Sequence, residues 1–112
     1  MATLREKQSM FARMVADLIS HAGSIGYEVT MGDAYRDPRV HGEVGVKMGY
    51  GHAMSCHKLR LAIDLNLFRD GQLLQGTDAH RELGEWWESC GGSWGGRFGD
   101  GNHYSLEHEG MR

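Results

Sequence analysis

Two stretches of this sequence hold the residue types best suited to chemistry. The first is Ser55-Cys56-His57-Lys58-Leu59-Arg60-Leu61-Ala62-Ile63-Asp64, and the second is Trp94-Gly95-Gly96-Arg97-Phe98-Gly99-Asp100-Gly101-Asn102-His103. Each places a histidine just before a strand-like segment and an aspartate close to it. Zinc takes histidine nitrogen and carboxylate oxygen, and a catalytic zinc site keeps three protein ligands and an open position for water. His57, Asp64 and His103 would supply that triad, and Asp100 would be left free to act on the water. Taken alone, each residue has an ordinary structural explanation. Asp64 fits two readings equally well. An acid in an apolar strand is costly unless it is paired or metal-bound, but it also fits the solvated face of an edge strand. Cys56 and Cys90 offer a different metal site with His57. Adjacent ligands rarely point the same way in an extended chain, and neither cysteine lies in a C-x-x-C motif. Both are read as free thiols. His21, His41, His52, His80 and His108 have no matched partner and are read as surface or satisfied core residues, with His52 a candidate to line a cleft.

These residues need elements to hold them. Residues 4–22 repeat apolar side chains at helical spacing, with Met10, Phe11, Met14, Val15, Leu18, Ile19 and His21 on or beside one face. Gly23 and Gly26 mark the stop. Residues 27–35 read as an imperfect strand, broken by Asp37-Pro38. Residues 39–56, with Gly42, Gly45, Gly49 and Gly51, read as a long loop, and loops of that length tend to be functional or disordered. Residues 60–69 are the clearest strand: Leu61, Ile63, Leu65 and Leu67 share one face, while Ala62, Asp64, Asn66 and Phe68 share the other. Asp70-Gly71 is a hairpin turn into Gln72-Leu73-Leu74. Thr77 is placed to cap a second helix that runs through Leu83, Trp86 and Trp87 to Cys90 and stops at Gly91-Gly92. Trp86 and Trp87 should divide between core and surface. Residues 103–106 read as a short last strand, and the polar tail from Glu107 is expected to fray. The order predicts an α+β fold, an antiparallel sheet with helices packed on one face.

The chain has 112 residues, which fits a single domain over 1–112. Its formal charge is −3, whereas nucleic-acid binding normally needs a basic face. Nor does that charge help the chain toward an anionic surface, so neither a nucleic-acid partner nor stable membrane association is expected. The segment Met1–Gln8 is polar, with no signal-like apolar run behind it, and no stretch approaches the ~20 apolar residues of a membrane span. Gly91-Gly92-Ser93-Trp94-Gly95-Gly96 suggests tight backbone approach around a packed indole.

Taken together, S-x-H-x6-D and W-G-G-x-F-x-D-x-x-H resemble the LAS-type zinc metallopeptidases. That group includes D-alanyl-D-alanine carboxypeptidases and dipeptidases, phage L-alanyl-D-glutamate endopeptidases and the hedgehog signalling domain. The resemblance spans about Val29 to Leu106 and implies a hedgehog/DD-peptidase-like fold. It implies one zinc ion on His57, Asp64 and His103, with Asp100 as catalytic base. It also implies that Arg36, after the first strand, meets substrate or the developing oxyanion, and that Ser55 beside the metal helps orient substrate or ligands. One departure is Arg60, where many relatives have glycine. The implied substrate is the peptidoglycan stem peptide, cut at its L-alanyl-D-glutamate bond. The alternatives are a D-Ala-D-Ala carboxypeptidase and a non-catalytic hedgehog-like zinc module. A short monomer without a wall-binding module fits a phage lysis enzyme, made in the host cytoplasm without a signal peptide and acting on the wall after release.

Overall fold

The computed structural model describes residues 2–112. Helix α1 spans Leu4–Ser24 and begins at a capping box, in which the Thr3 hydroxyl accepts from Glu6 N and the Glu6 carboxylate accepts from Thr3 N. Phe11, Leu18 and Ala22 form its buried stripe. Met10 lies outside that stripe and is exposed. Strand β1 is Glu28–Met31, α2 is Pro38–His41, β2 is Ala62–Arg69 and β3 is Gln72–Leu74. Helix α3 is Arg81–Ser89, β4 is Ser93–Trp94 and β5 is His103–Ser105. No described helix is long and apolar enough to cross a membrane.

The five strands form one antiparallel sheet in the order β1-β2-β5-β4, with β3 also paired to β2. Strand β2 is the spine. Its alternation holds: Leu65 and Leu67 are buried with Ile63, as is Leu61 just before the strand, while Asn66 is exposed on the other face. A fully buried leucine contributes roughly 1.5–3 kcal/mol over an exposed one, so this face binds the sheet to α1 and α3. Trp87 and Trp94 complete the core, and Trp86 is half-buried, stacked on His21 at 4.1 Å between ring centroids.

The glycine-rich run packs against these indoles. A Cβ at Gly92 would lie 2.1 Å from Trp87 Nε1, and one at Gly96 would lie 2.2 Å from Trp94 Cζ2. The Trp94 indole N–H donates to Gly101 O at 2.8 Å, which ties the run to the loop before β5.

Three expectations need correction. The segment 39–56 is not all loop: Asp37 caps α2, with its side chain accepting from Arg39 N, and Pro38 starts that helix. The residues from Cys56 to Leu59 form a 3₁₀ turn. Thr77 does not cap a helix. It lies inside a 3₁₀ turn, Thr77–His80, that leads into α3, and Gly76 at φ 89° makes the entry without a side-chain cap. The tail from Glu107 is folded rather than frayed. His108 and Met111 bridge each other, Met111 is buried, and Lys7 Nζ donates to Glu107 O at 3.0 Å and meets His108 Nδ1 at 3.2 Å.

Candidate metal centre and cleft

His57 sits on the 3₁₀ turn that delivers the chain into β2. Ser55 begins that turn, its Oγ accepting from His57 N at 3.2 Å. Arg60 ends it in the left-handed region, at φ 57° and ψ 35°. Glycine enters that region freely and other residues do so at a cost. Here the Arg60 guanidinium stacks on the Tyr35 ring at 3.9 Å, an attraction that partly offsets the backbone cost.

Asp64 and His103 meet because of strand register. They are direct antiparallel partners on β2 and β5, and opposed residues on one face bring their side chains together. Backbone bonds fix the register on both sides: Asp64 N donates to Asp33 O at 2.8 Å, and Leu65 N donates to Asn102 O at 3.0 Å. Gly95 permits the close packing behind them, since a Cβ there would lie 2.2 Å from Asp100 O and 2.7 Å from His103 Cβ.

The three side chains converge. His57 Nε2 is 3.2 Å from Asp64 Oδ1, His103 Nδ1 is 3.2 Å from His57 Nε2, and His103 Nδ1 is 3.5 Å from Asp64 Oδ1. Tetrahedral ligands at the usual zinc distances of about 2.0–2.1 Å stand roughly 3.3 Å apart, so the triangle fits one such ion. Its chemistry fits as well. Ala34 O can only accept, and at 2.7 Å it fixes the proton of His57 on Nδ1, which leaves the Nε2 lone pair facing the triangle in the neutral ring. With His103 Nδ1 also turned to the triangle, its Nε2 is buried without a hydrogen-bond partner. Two buried imidazoles and a carboxylate gathered in this way are costly without a cation between them. Burial alone pushes the Asp64 carboxyl up, but its close pairing with the His103 and His57 imidazoles outweighs burial and holds the group below the ordinary carboxylate range. Asp64 is therefore a paired cleft acid, not a solvated edge residue.

The other expected residues lie around this triangle. Asp100 Oδ2 is 3.9 Å from His103 Nδ1, and its side chain is 54% exposed, so it stands at the cleft mouth outside the trio. Arg36 Nη2 is 3.9 Å from Asp64 Oδ2, and its Nη1 donates to Ser55 Oγ at 3.4 Å. His52 lines the cleft. The cleft holds about 680 Å³ and is closed at one side by the returning tail, Glu109–Arg112. A second cavity of about 330 Å³ also includes Asp100 and is lined by Asn66, Gln75, Thr77 and Asn102. Cys56 takes no part. Its buried thiol faces Leu106 O at 3.7 Å and is pushed up to about 11 by burial, while Cys90 is exposed.

Three residues went unseen in the sequence. Asp33 Oδ2 accepts from Arg36 Nε at 3.2 Å and from the Tyr50 hydroxyl at 2.8 Å. The Tyr50 bond is the main reason that the Asp33 carboxyl lies below its ordinary range; partial burial opposes it and Arg36 adds to it. Lys58 Nζ, on a buried residue, donates to Glu43 O, Val46 O and Ala53 O at 3.1, 2.8 and 3.1 Å. Spacing alone could have suggested only Asp33, an acid three residues before Arg36.

A family described as D-alanyl-D-alanine carboxypeptidase matches residues 49–106, just over half of the chain. The matched stretch contains Ser55, His57, Asp64, Asp100 and His103 and stops short of Arg36. No curated protein matches.

Proposed function

The chain belongs to the D-alanyl-D-alanine carboxypeptidase family of metallopeptidases, and from that premise we propose a zinc-dependent peptidoglycan endopeptidase that cuts the L-alanyl-D-glutamate bond of the stem peptide, as a phage lysis enzyme does. The observation that carries the peptidase reading is the His57–Asp64–His103 triangle with the Asp100 carboxylate just outside it. His57 Nε2, Asp64 Oδ1 and His103 Nδ1 would hold the ion. When bound, zinc supplies Lewis-acid polarisation of the carbonyl and a more acidic water.

The protein's own groups do the rest. Asp100 takes the proton of the attacking water at a carboxylate oxygen and delivers it to the leaving amine nitrogen. Arg36, held beside Asp64, faces the negative charge that grows on the scissile carbonyl oxygen, and such preorganised charges are often the largest catalytic term. Ser55 keeps one Arg36 nitrogen in place and caps the turn that carries His57.

The endopeptidase reading draws on the two cavities that Asp100 borders, the main cleft and the second cavity, because a chain that continues past the cut needs such room. The family description favours the alternative, removal of a terminal D-alanine. Mass spectrometry of muropeptides after digestion separates the two. Release of the whole stem from L-alanine supports the endopeptidase, and loss of one terminal alanine supports the carboxypeptidase. A non-catalytic zinc module is the third reading, and the Asp100 carboxylate beside a complete ligand set speaks against it. Zymography on purified wall, with and without chelator, tests it: lysis only without chelator is expected, and no lysis in either lane would favour the binding module.

A further inference from the structure

The groups that aim Arg36 come mainly from outside the two motifs. Its Nε donates to Asp33 Oδ2 at 3.2 Å, and the same oxygen accepts from the Tyr50 hydroxyl at 2.8 Å. The Tyr50 ring lies under the guanidinium at 5.2 Å. Gly51, at φ 87°, lets the backbone press against it, because a Cβ there would lie 2.4 Å from Arg36 Nη1. Tyr50 is braced in turn by His41, whose ring meets it edge-on at 4.6 Å and whose Nδ1 is 3.2 Å from Tyr50 O. The long arginine side chain is thus nearly immobilised, with only 12% of it exposed. Its Nη2 is left toward Asp64 and the cleft.

We propose that Asp33 and Tyr50 are a positioning pair for Arg36, through which the glycine-rich segment 42–51 sets the catalytic competence of the site. The inference rests on the reading of Arg36 as the group that meets the developing oxyanion. Neither Asp33 nor Tyr50 touches the reacting atoms. Both act by holding one guanidinium where charge appears, an interaction that matters more in the transition state than in the ground state and so shows in kcat rather than KM.

The test is a double-mutant cycle on the full, zinc-loaded chain, with purified muropeptides as substrate. Asp33→Asn keeps size and backbone and removes the charge; it should lower kcat about 10–100-fold, the worth of a hydrogen bond to a charged group, with KM nearly unchanged. Tyr50→Phe keeps the ring and should cost about threefold to tenfold. In an Arg36→Ala background each further change should cost less than about twofold. Losses that simply multiply would overturn the proposal. The Arg36 Nε–H resonance gives a readout that needs no turnover. It should exchange slowly with water in the wild-type chain and faster in Asp33→Asn, and an unchanged signal would also overturn the proposal. A wild-type chain that cleaves no muropeptide would sink the peptidase reading, while the resonance still decides the positioning.

Discussion

His57, Asp64 and His103 rest on backbone hydrogen bonds, whereas the Arg36 guanidinium rests on side chains, Asp33 beside it and Tyr50 from a glycine-rich loop. The first group sits on a capped turn and on two paired strands, with Asp64 opposite His103 in register. The second depends on Asp33, Tyr50 and a loop gathered by the buried Lys58 ammonium. Metal affinity and turnover should therefore be separable. Damage to the ladder should remove the ion and with it stability, since metal binding energy is partly folding energy. Damage to the loop should spare the ion and slow the reaction.

The largest effects should come from the two sides of His103. His103→Ala should drop zinc, measured by elemental analysis, from one per chain to near zero, and abolish lysis. Asp100→Ala should keep the zinc and the melting temperature and lose about 10²–10⁴-fold in kcat, the usual worth of a general base. Equal metal loss in both variants would erase the distinction between ligand and base.

Lys58→Met sharpens the comparison on the loop side. It strips a charged donor from three carbonyls and should destabilise the chain by about 1.5–3 kcal/mol, as read by denaturant unfolding of the metal-free protein. Zinc stoichiometry should stay at one while kcat falls, because the segment that holds Tyr50 loosens. Loss of zinc in this variant would mean that the two regions are one unit.

A smaller effect belongs to the turn itself. Arg60→Ala retains the left-handed backbone cost and loses the stack on Tyr35, whereas Arg60→Gly loses the stack but relieves the backbone. The glycine variant should therefore be more stable than the alanine variant by about 1 kcal/mol, measured by the same unfolding curves. Equal stability would show that the turn does not enforce positive φ.

The smallest effect is pH-dependent and lies in the core behind the ladder. Burial holds His80 below its ordinary value of 6.5, against the pull of Asp100, and its Nδ1 is 2.7 Å from the Tyr104 hydroxyl. The unfolded chain accepts a proton at a higher pH than the folded one. Stability from this group is therefore complete above about pH 6.5 and falls as the pH drops below it, through the lowered value of the folded state. In chelator-stripped protein, thermal melts should show this decline, and His80→Gln should flatten it. A decline of the same size in His80→Gln would assign it to other groups.

The elements that carry the ladder were legible in the sequence because local pattern decides them. Strict alternation marked β2, and helical spacing marked α1. The motif spacing picked out His57, Asp64, His103 and Asp100, which the fold gathers at one cleft. What local pattern could not reveal was register: nothing in residues 60–69 says that Asp64 faces His103 rather than solvent, because that depends on partners about 40 residues away. The loop side was least legible. A lysine is almost never buried, so Lys58 gave no hint that it gathers three carbonyls. Tyr50 reads as an ordinary loop aromatic until Asp33 is brought to its hydroxyl. The tail failed for the opposite reason, since its polar composition hides the one buried side chain, Met111, that anchors it.

X-ray absorption at the zinc edge, on chain loaded with one equivalent of zinc, tests the centre most directly. Two imidazole nitrogens and oxygen donors at about 2.0–2.1 Å, with that shell lost along with the bound zinc in His57→Ala, are the expected result. A sulfur shell near 2.3 Å, or a spectrum indifferent to the loss of His57, would place the ion elsewhere and contradict the account.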